Sequence, residues 1–213
     1  IKGSEIHDNT ATNSGGAIYM ATGWAIDGYY NCACEIVDTK LNNNSANTGG
    51  ALGMGAPHYQ DMHITASFTM SGKSEISSNT AKTLTTTNGG GGVYLVGNGS
   101  RFIMNDGFIT DNVAKNSCGG AIFSKNWRGI TLNGGSITGN TKGVINNSNM
   151  NISGAASITG NTDSNLYLAD GKTITFGELD ERADIGITAE KQEDLTGDEM
   201  ISISANGADN LDC

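Results

Sequence analysis

Phe68-Thr-Met70-Ser-Gly72-Lys-Ser-Glu-Ile76-Ser-Ser-Asn79-Thr-Ala81 is the stretch that decides the fold. Apolar and hydroxyl side chains alternate from Phe68 to Ser71, the period of a strand with one buried face. Gly72 interrupts that strand, a second short apolar position follows at Ile76, and Asn79 closes the segment with another turn residue. Nowhere in the chain do apolar residues recur at 3.6-residue spacing over ten or more positions, which excludes a helical repeat.

Working outward, the aliphatic-x-x-Asn ending occurs six times, at Ile6–Asn9, Leu41–Asn44, Ile76–Asn79, Ile109–Asn112, Ile137–Asn140 and Ile158–Asn161. In four of these, Ala follows two residues after the Asn (Ala11, Ala46, Ala81, Ala114). A Gly-Gly step then enters a short apolar stretch: Gly15-Gly16-Ala-Ile-Tyr, Gly49-Gly50-Ala-Leu-Gly, Gly91-Gly92-Val-Tyr-Leu and Gly119-Gly120-Ala-Ile-Phe. Successive Asn residues stand 35, 35, 33, 28 and 21 positions apart. The shortest interval sets a unit of 21 residues, and the longer ones are that unit with loops inserted. Three short strands joined by turns fill one coil of that length. A single coil cannot bury its inward side chains, whereas a stack can. The expected fold is all-β, a right-handed parallel β-helix over residues 1–190, with an acidic last coil or cap over 191–213.

Stacking explains the recurrent residues. Equivalent positions in neighbouring coils lie about 4.8 Å apart. Asn at one corner of every coil can therefore pass amide hydrogen bonds along the stack and satisfy turn backbone. This assigns Asn9, Asn44, Asn79, Asn112, Asn140 and Asn161 to a structural ladder. Asn also tolerates the left-handed backbone of a sharp corner, and the Gly pairs supply such corners without a Cβ clash.

The paired signatures Gly-Gly-Ala-Ile and aliphatic-x-x-Asn resemble the repeats of chlamydial polymorphic membrane proteins, which are β-helical adhesins. That family favours Phe at the first position of the second signature, where this chain has Ile or Leu. The stretch from Phe68 to Ala81 and the Gly-Gly-Val-Tyr-Leu run are similar to adhesin-like β-helix repeats of large surface proteins in gut Firmicutes and methanogens. So are Ser164-Asn-Leu-Tyr-Leu-Ala-Asp-Gly-Lys-Thr-Ile-Thr and Ile185-Gly-Ile-Thr. The resemblance spans residues 1–190 and implies a secreted or cell-surface bacterial setting within a larger chain. It implies no activity, because a fold does not define a function.

Composition fits a solenoid and narrows the partners. Only 37% of the chain is hydrophobic and 16% charged, with 31 Gly against a single Pro. The evenly spaced aliphatic residues set it apart from a disordered polar chain. The net charge of −10 arises entirely in residues 163–213, which carry thirteen acidic and three basic side chains; nine of each sign cancel in residues 1–162. No basic patch interleaves with aromatics, so neither nucleic acid nor an anionic membrane surface is an expected partner. No apolar run is long enough to span a bilayer, and this segment is not expected to insert. The chain opens mid-pattern at Ile1, as a piece of a longer or processed protein would. Four cysteines (Cys32, Cys34, Cys118, Cys213) are too few for a disulfide scaffold, and their pairing stays open.

Function on a rigid scaffold belongs to its inserted loops. Segments 21–35, 55–63, 97–101 and 124–129 occupy the same place in the unit, after the Gly-Gly strand, and are expected to line one side. They hold both Trp and the only Pro. Trp24, Tyr29, Tyr30, His58, Tyr59, Trp127 and Arg128 are the candidate ligand-binding residues, with Arg101 beside them; aromatic rings would stack on sugars or anchor a protein. Alternatively, the loops fold back and shield the flank, their aromatics forming small cores. The 82–88 insertion lies at a different corner and reads as solvated. Cys32-Ala-Cys34 with His58 and His63 lacks the usual zinc-site spacings, and no cofactor is expected. Asn161-Thr-Asp163 looks like a polygalacturonase motif, but Asn-Thr recurs with the repeat at Asn9, Asn79 and Asn140, and the companion motifs are absent. Asp27, Asp38 and Asp61 form no recognisable pair. The sequence points to a non-catalytic adhesin-like segment that binds a host or microbial glycan or protein. A polysaccharide lyase or glycosidase and a passive stalk are the alternatives.

Overall fold

A computed structural model of the chain describes residues 1–21, 24–25, 28–29, 31–55, 65–83, 89–97, 99–115, 119–125, 129–169 and 171–189. Over them the chain winds into a right-handed parallel β-helix with four parallel sheets running along the stack. Sheet I holds Glu5–His7, Lys40–Asn42, Glu75–Ser77, Phe108–Thr110, Ser136–Thr138, Ser157–Ile158 and Asp184–Ile185. Sheet II is short: Ser45–Ala46, Thr80–Ala81 and Val113–Ala114. Sheet III comprises Ile18–Ala21, Leu52–Gly55, Val93–Val96, Ile122–Lys125, Val144–Asn146, Leu166–Leu168 and Ile187–Ala189. Sheet IV comprises Cys32–Val37, Ala66–Ser71, Ser100–Met104, Ile130–Leu132, Met150–Gly154 and Ile174–Leu179. Each coil runs from sheet I to sheet III and then, through sheet IV, re-enters sheet I one level on; among the described residues only three coils add a sheet II strand between sheets I and III.

Register turns the sequence repeat into columns. Ile6, Leu41, Ile76, Ile109, Ile137, Ile158 and Ile185 align along sheet I. The seventh rung, Ile185, has no Asn three residues on, so the sequence motif does not reveal it. On sheet IV, Phe68 stacks on Phe102 (ring centroids 5.9 Å apart), and Met70, Met104, Leu132, Ile152 and Phe176 line up beside them. All seven are buried. Fully burying each such side chain stabilises the fold by about 1.5–3 kcal/mol, and only the neighbouring coils provide the burial.

The asparagine ladder is continuous. Nδ2 of each Asn donates to Oδ1 of the Asn in the next coil: Asn9 to Asn44 (3.0 Å), Asn44 to Asn79 (3.1 Å), Asn79 to Asn112 (2.9 Å), Asn112 to Asn140 (3.0 Å) and Asn140 to Asn161 (2.9 Å). The backbone N–H of each donates to the same oxygen. Asn161 ends the series on Asn165 of its own coil, 3.1 Å away. That closing residue lies outside the aliphatic-x-x-Asn motif.

Two details differ from the sequence expectation. The ladder Asn does not take the left-handed corner; the residue before it does, at Asp8, Asn43, Ser78 and Asp111 (φ 54–57°) and at Gly139 and Gly160 (φ 70° and 65°). The preceding residue turns the chain so that the Asn amide can point along the stack. The second difference concerns the Gly pair of the third coil. Val93 pairs with Leu52 and Tyr94 with Gly53, so Gly90-Gly91, rather than Gly91-Gly92, matches Gly49-Gly50. The two glycines serve different ends. Gly49 has φ 58°, whereas Gly50 has no such need, but a Cβ there would strike the Gly91 carbonyl and lie 2.6 Å from the Thr80 nitrogen.

Candidate binding face

Sheet order places the loops. The strands Ile18–Ala21, Leu52–Gly55, Val93–Val96 and Ile122–Lys125 are neighbours in sheet III, and the strands that follow them are neighbours in sheet IV. All four connections therefore leave one edge and enter the next at successive levels, on one side of the stack. Their extents are smaller than the sequence suggests. Cys32–Glu35 already belong to sheet IV, and Ser124 and Lys125 still belong to sheet III. After Val96, sheet IV already resumes at Ser100, whose N–H donates to the Gly97 carbonyl at 3.3 Å. Arg101 is accordingly a strand residue, exposed and opposite Ser67, and not a loop residue.

Within the first connection, Trp24–Ala25 and Gly28–Tyr29 form a two-stranded antiparallel ribbon that sets Trp24 opposite Tyr29. Tyr30, His58, Tyr59, Trp127 and Arg128 lie outside the described residues, as do His63, the 84–88 stretch and the acidic segment 191–213. Cys32 and Cys34 are free, half-buried thiols on the first strand of sheet IV, and burial pushes both above the ordinary thiol range. Cys118 and Cys213 lie outside the described residues. Among the described residues no group of three or more His, Cys, Asp or Glu side chains could hold a metal.

Of the polar residues that resembled catalytic candidates, Asp27 and Asp61 lie outside the described residues, and the others have backbone duties. Asn161 Nδ2 donates to the Ile137 and Thr159 carbonyls and to Asn165 Oδ1, so the Asn161-Thr-Asp163 segment is a ladder rung. Asp38 occupies a left-handed corner and its Oδ1 accepts from the Lys73 N–H at 3.0 Å.

A feature that the sequence reading missed runs down the outer face of sheet III. The outward residues of successive coils are Tyr19, Gly53, Tyr94, Phe123, Ile145, Tyr167 and Thr188. Tyr94 and Phe123 are stacked, with centroids 5.8 Å apart. Tyr19 is 56% exposed and lies over Gly55, its phenol oxygen 3.0 Å from where a Cβ of residue 55 would sit. Both outward positions of Leu52–Gly55, residues 53 and 55, are Gly. The missed signal was the aromatic at the second strand position after the Gly-Gly-Ala step, as in Gly-Gly-Ala-Ile-Tyr19 and Gly-Gly-Ala-Ile-Phe123.

Comparison with known proteins yields one short match. Residues 3–21 are similar to the Chlamydia polymorphic membrane protein repeat. That piece is the first passage from sheet I through the Asn9 corner and the Gly15-Gly16 step to the end of Ile18–Ala21, so it holds both signatures once. No curated protein and no solved structure matches the chain. No helix among the described residues is long and apolar enough to cross a membrane.

Proposed function

We propose that this chain is a non-catalytic, adhesin-like segment of a secreted or surface protein that holds a glycan or protein partner against its loop-bearing side. The observation that carries the reading is the alignment of four sheet III-to-IV connections on one side of a rigid stack. The aromatics of those connections, Trp24, Tyr29, Tyr30, Tyr59 and Trp127, with His58 and Arg128, are the residues assigned to contact. The short similarity to a surface-protein repeat supports the setting. A rigid solenoid suits this task, since it positions loops without spending ordering entropy on binding. Replacing Trp24, Tyr29, Tyr30 and Trp127 together with Ala tests the reading on glycan arrays and on host cells. Binding should be lost; a quadruple variant that binds like the parent refutes the assignment. Release of reducing sugar or unsaturated product from pectin, mucin or chitin would refute the non-catalytic reading.

A further inference from the structure

We infer that the outer face of sheet III is itself a stacking platform for a neutral, linear polysaccharide lying along the helix axis, with Tyr19 as its principal ring. This concerns the strands and does not depend on the loops. The other sheets set the contrast. Outward positions of sheet I read Glu5, Lys40, Glu75, Phe108, Ser136, Ser157 and Asp184, and those of sheet IV read Glu35, Thr69, Ile103, Thr131, Asn151 and Thr175. Both columns are mainly polar, as a solvated face should be. The equivalent column of sheet III carries three Tyr, one Phe and one Ile; Tyr19 is exposed, Tyr94, Ile145 and Tyr167 are half-buried, and Phe123 is buried, so the rings open to a ligand are the three Tyr.

The placement of Tyr19 is more specific than simple exposure. The strand beneath it carries no side chain at residues 53 and 55; Ser14 fills the space over Gly53, and the Tyr19 ring reaches across to Gly55 while leaving more than half of its surface to solvent. Coils repeat about every 4.8 Å, and Tyr94 lies two levels and Tyr167 five levels from Tyr19, so the three rings are spread along the line that an extended chain would follow. Charge selects the polymer: Lys125 is the single charged residue in the seven strands of the sheet. A face of rings without fixed charge suits the C–H surfaces and hydroxyls of an uncharged glycan, and gives an acidic polymer little to hold.

Affinity electrophoresis of the full chain through gels containing β-glucan, mannan or xylan, against polygalacturonate and alginate, tests this. At least one neutral polymer should retard the protein, and neither acidic one should. Tyr19→Ala with Tyr94→Ala and Tyr167→Ala should weaken the interaction at least tenfold. Tyr19→Phe should retain it. Gly55→Val keeps Tyr19 but displaces its ring, and should weaken binding several-fold while circular dichroism still reports a folded β-helix. Failure of every neutral polymer to retard the parent, stronger retardation by the acidic ones, or a triple variant that binds like the parent would each overturn the inference. The loop quadruple variant separates the two readings: lost binding there, with the tyrosine variant unaffected, overturns the platform and leaves the loop site standing. The reverse result supports the platform and removes the loops.

Discussion

Asn79→Ala probes the ladder where it is most deeply enclosed. Asn79 has no solvent exposure. Its Oδ1 accepts from the backbone N–H of Asn44 at 2.9 Å and from Asn44 Nδ2 at 3.1 Å. Its Nδ2 donates to the Leu41 carbonyl and to Asn112 Oδ1, both at 2.9 Å. Alanine removes these four bonds and keeps the backbone ones, the donation from residue 79 to Asn112 Oδ1 and the acceptance by its carbonyl from the Val113 N–H. The Asn44 N–H is then stranded in a corner that water does not reach, and the Leu41 carbonyl loses its corner donor. Each buried group left unpaired costs about 1–3 kcal/mol. The vacated volume adds a smaller penalty, which brings the expected loss to about 3–5 kcal/mol. Asn9→Ala is the control. Asn9 is exposed at the first coil, and its backbone still donates to Asn44 Oδ1, so truncation should cost only about 0.5–1 kcal/mol. Urea unfolding followed by circular dichroism measures both, with slopes compared because a solenoid can unfold in parts. Hydrogen exchange should show protection lost first around Asn44. Equal losses for the two variants, or a loss below about 1 kcal/mol for Asn79→Ala, would refute the ladder as a source of stability.

Further outcomes follow from the corners and the exposed end. Gly50→Ala should cost more than about 3 kcal/mol, because its Cβ meets backbone of the next coil, where nothing can rotate away; a near-native urea midpoint would contradict the close approach. Ser78→Gly should stabilise by about 0.5–1 kcal/mol by relieving a left-handed serine at φ 54°, and Ser78→Val should destabilise. The opposite ranking would show that this corner is not strained. His7 Nδ1 lies 2.6 Å from Asp8 Oδ2, and that hydrogen bond, helped by the charges of Asp8 and Glu5, raises the imidazole pKa above 6.5. A raised folded-state value means that any stabilisation is present below pH 6.5 and fades as pH rises through the folded pKa. An NMR titration should place the midpoint above 6.5 and Asp8→Asn should bring it back; a parent midpoint at or below 6.5 would refute the pairing. Cys32 and Cys34, pushed up by burial, should react slowly with a thiol reagent at pH 7 and quickly in urea, measured in a Cys118→Ser, Cys213→Ser background.

The architecture was legible because one local rule repeats. The aliphatic-x-x-Asn motif fixes both an inward side chain and a corner amide, so six rungs could be placed without coordinates. Asn165 escaped because it closes the ladder from within a coil, where no repeat position marks it. Arg101 was misplaced because the Gly-Asn-Gly-Ser run after Val96 looks like an insertion in sequence, whereas sheet IV already resumes at Ser100. The aromatic column escaped for a different reason. Tyr19, Tyr94 and Tyr167 belong to coils of unequal length, so although each is the second residue of its strand, no fixed linear spacing marks them as neighbours.

What the sequence determined by itself is the period, the inward face and the ladder, since each rests on side-chain type at a fixed local offset. Tertiary structure decided the register of the run Gly89 to Gly92, where identical residues offer no preference. Burial of Val93 against Leu52 and Ile122 settles it, and that places Tyr94 on the outside. Only the stack decides what the outer surface displays, because outward side chains become neighbours through hydrogen-bonded pairing between coils. The platform proposed for sheet III is a product of that pairing.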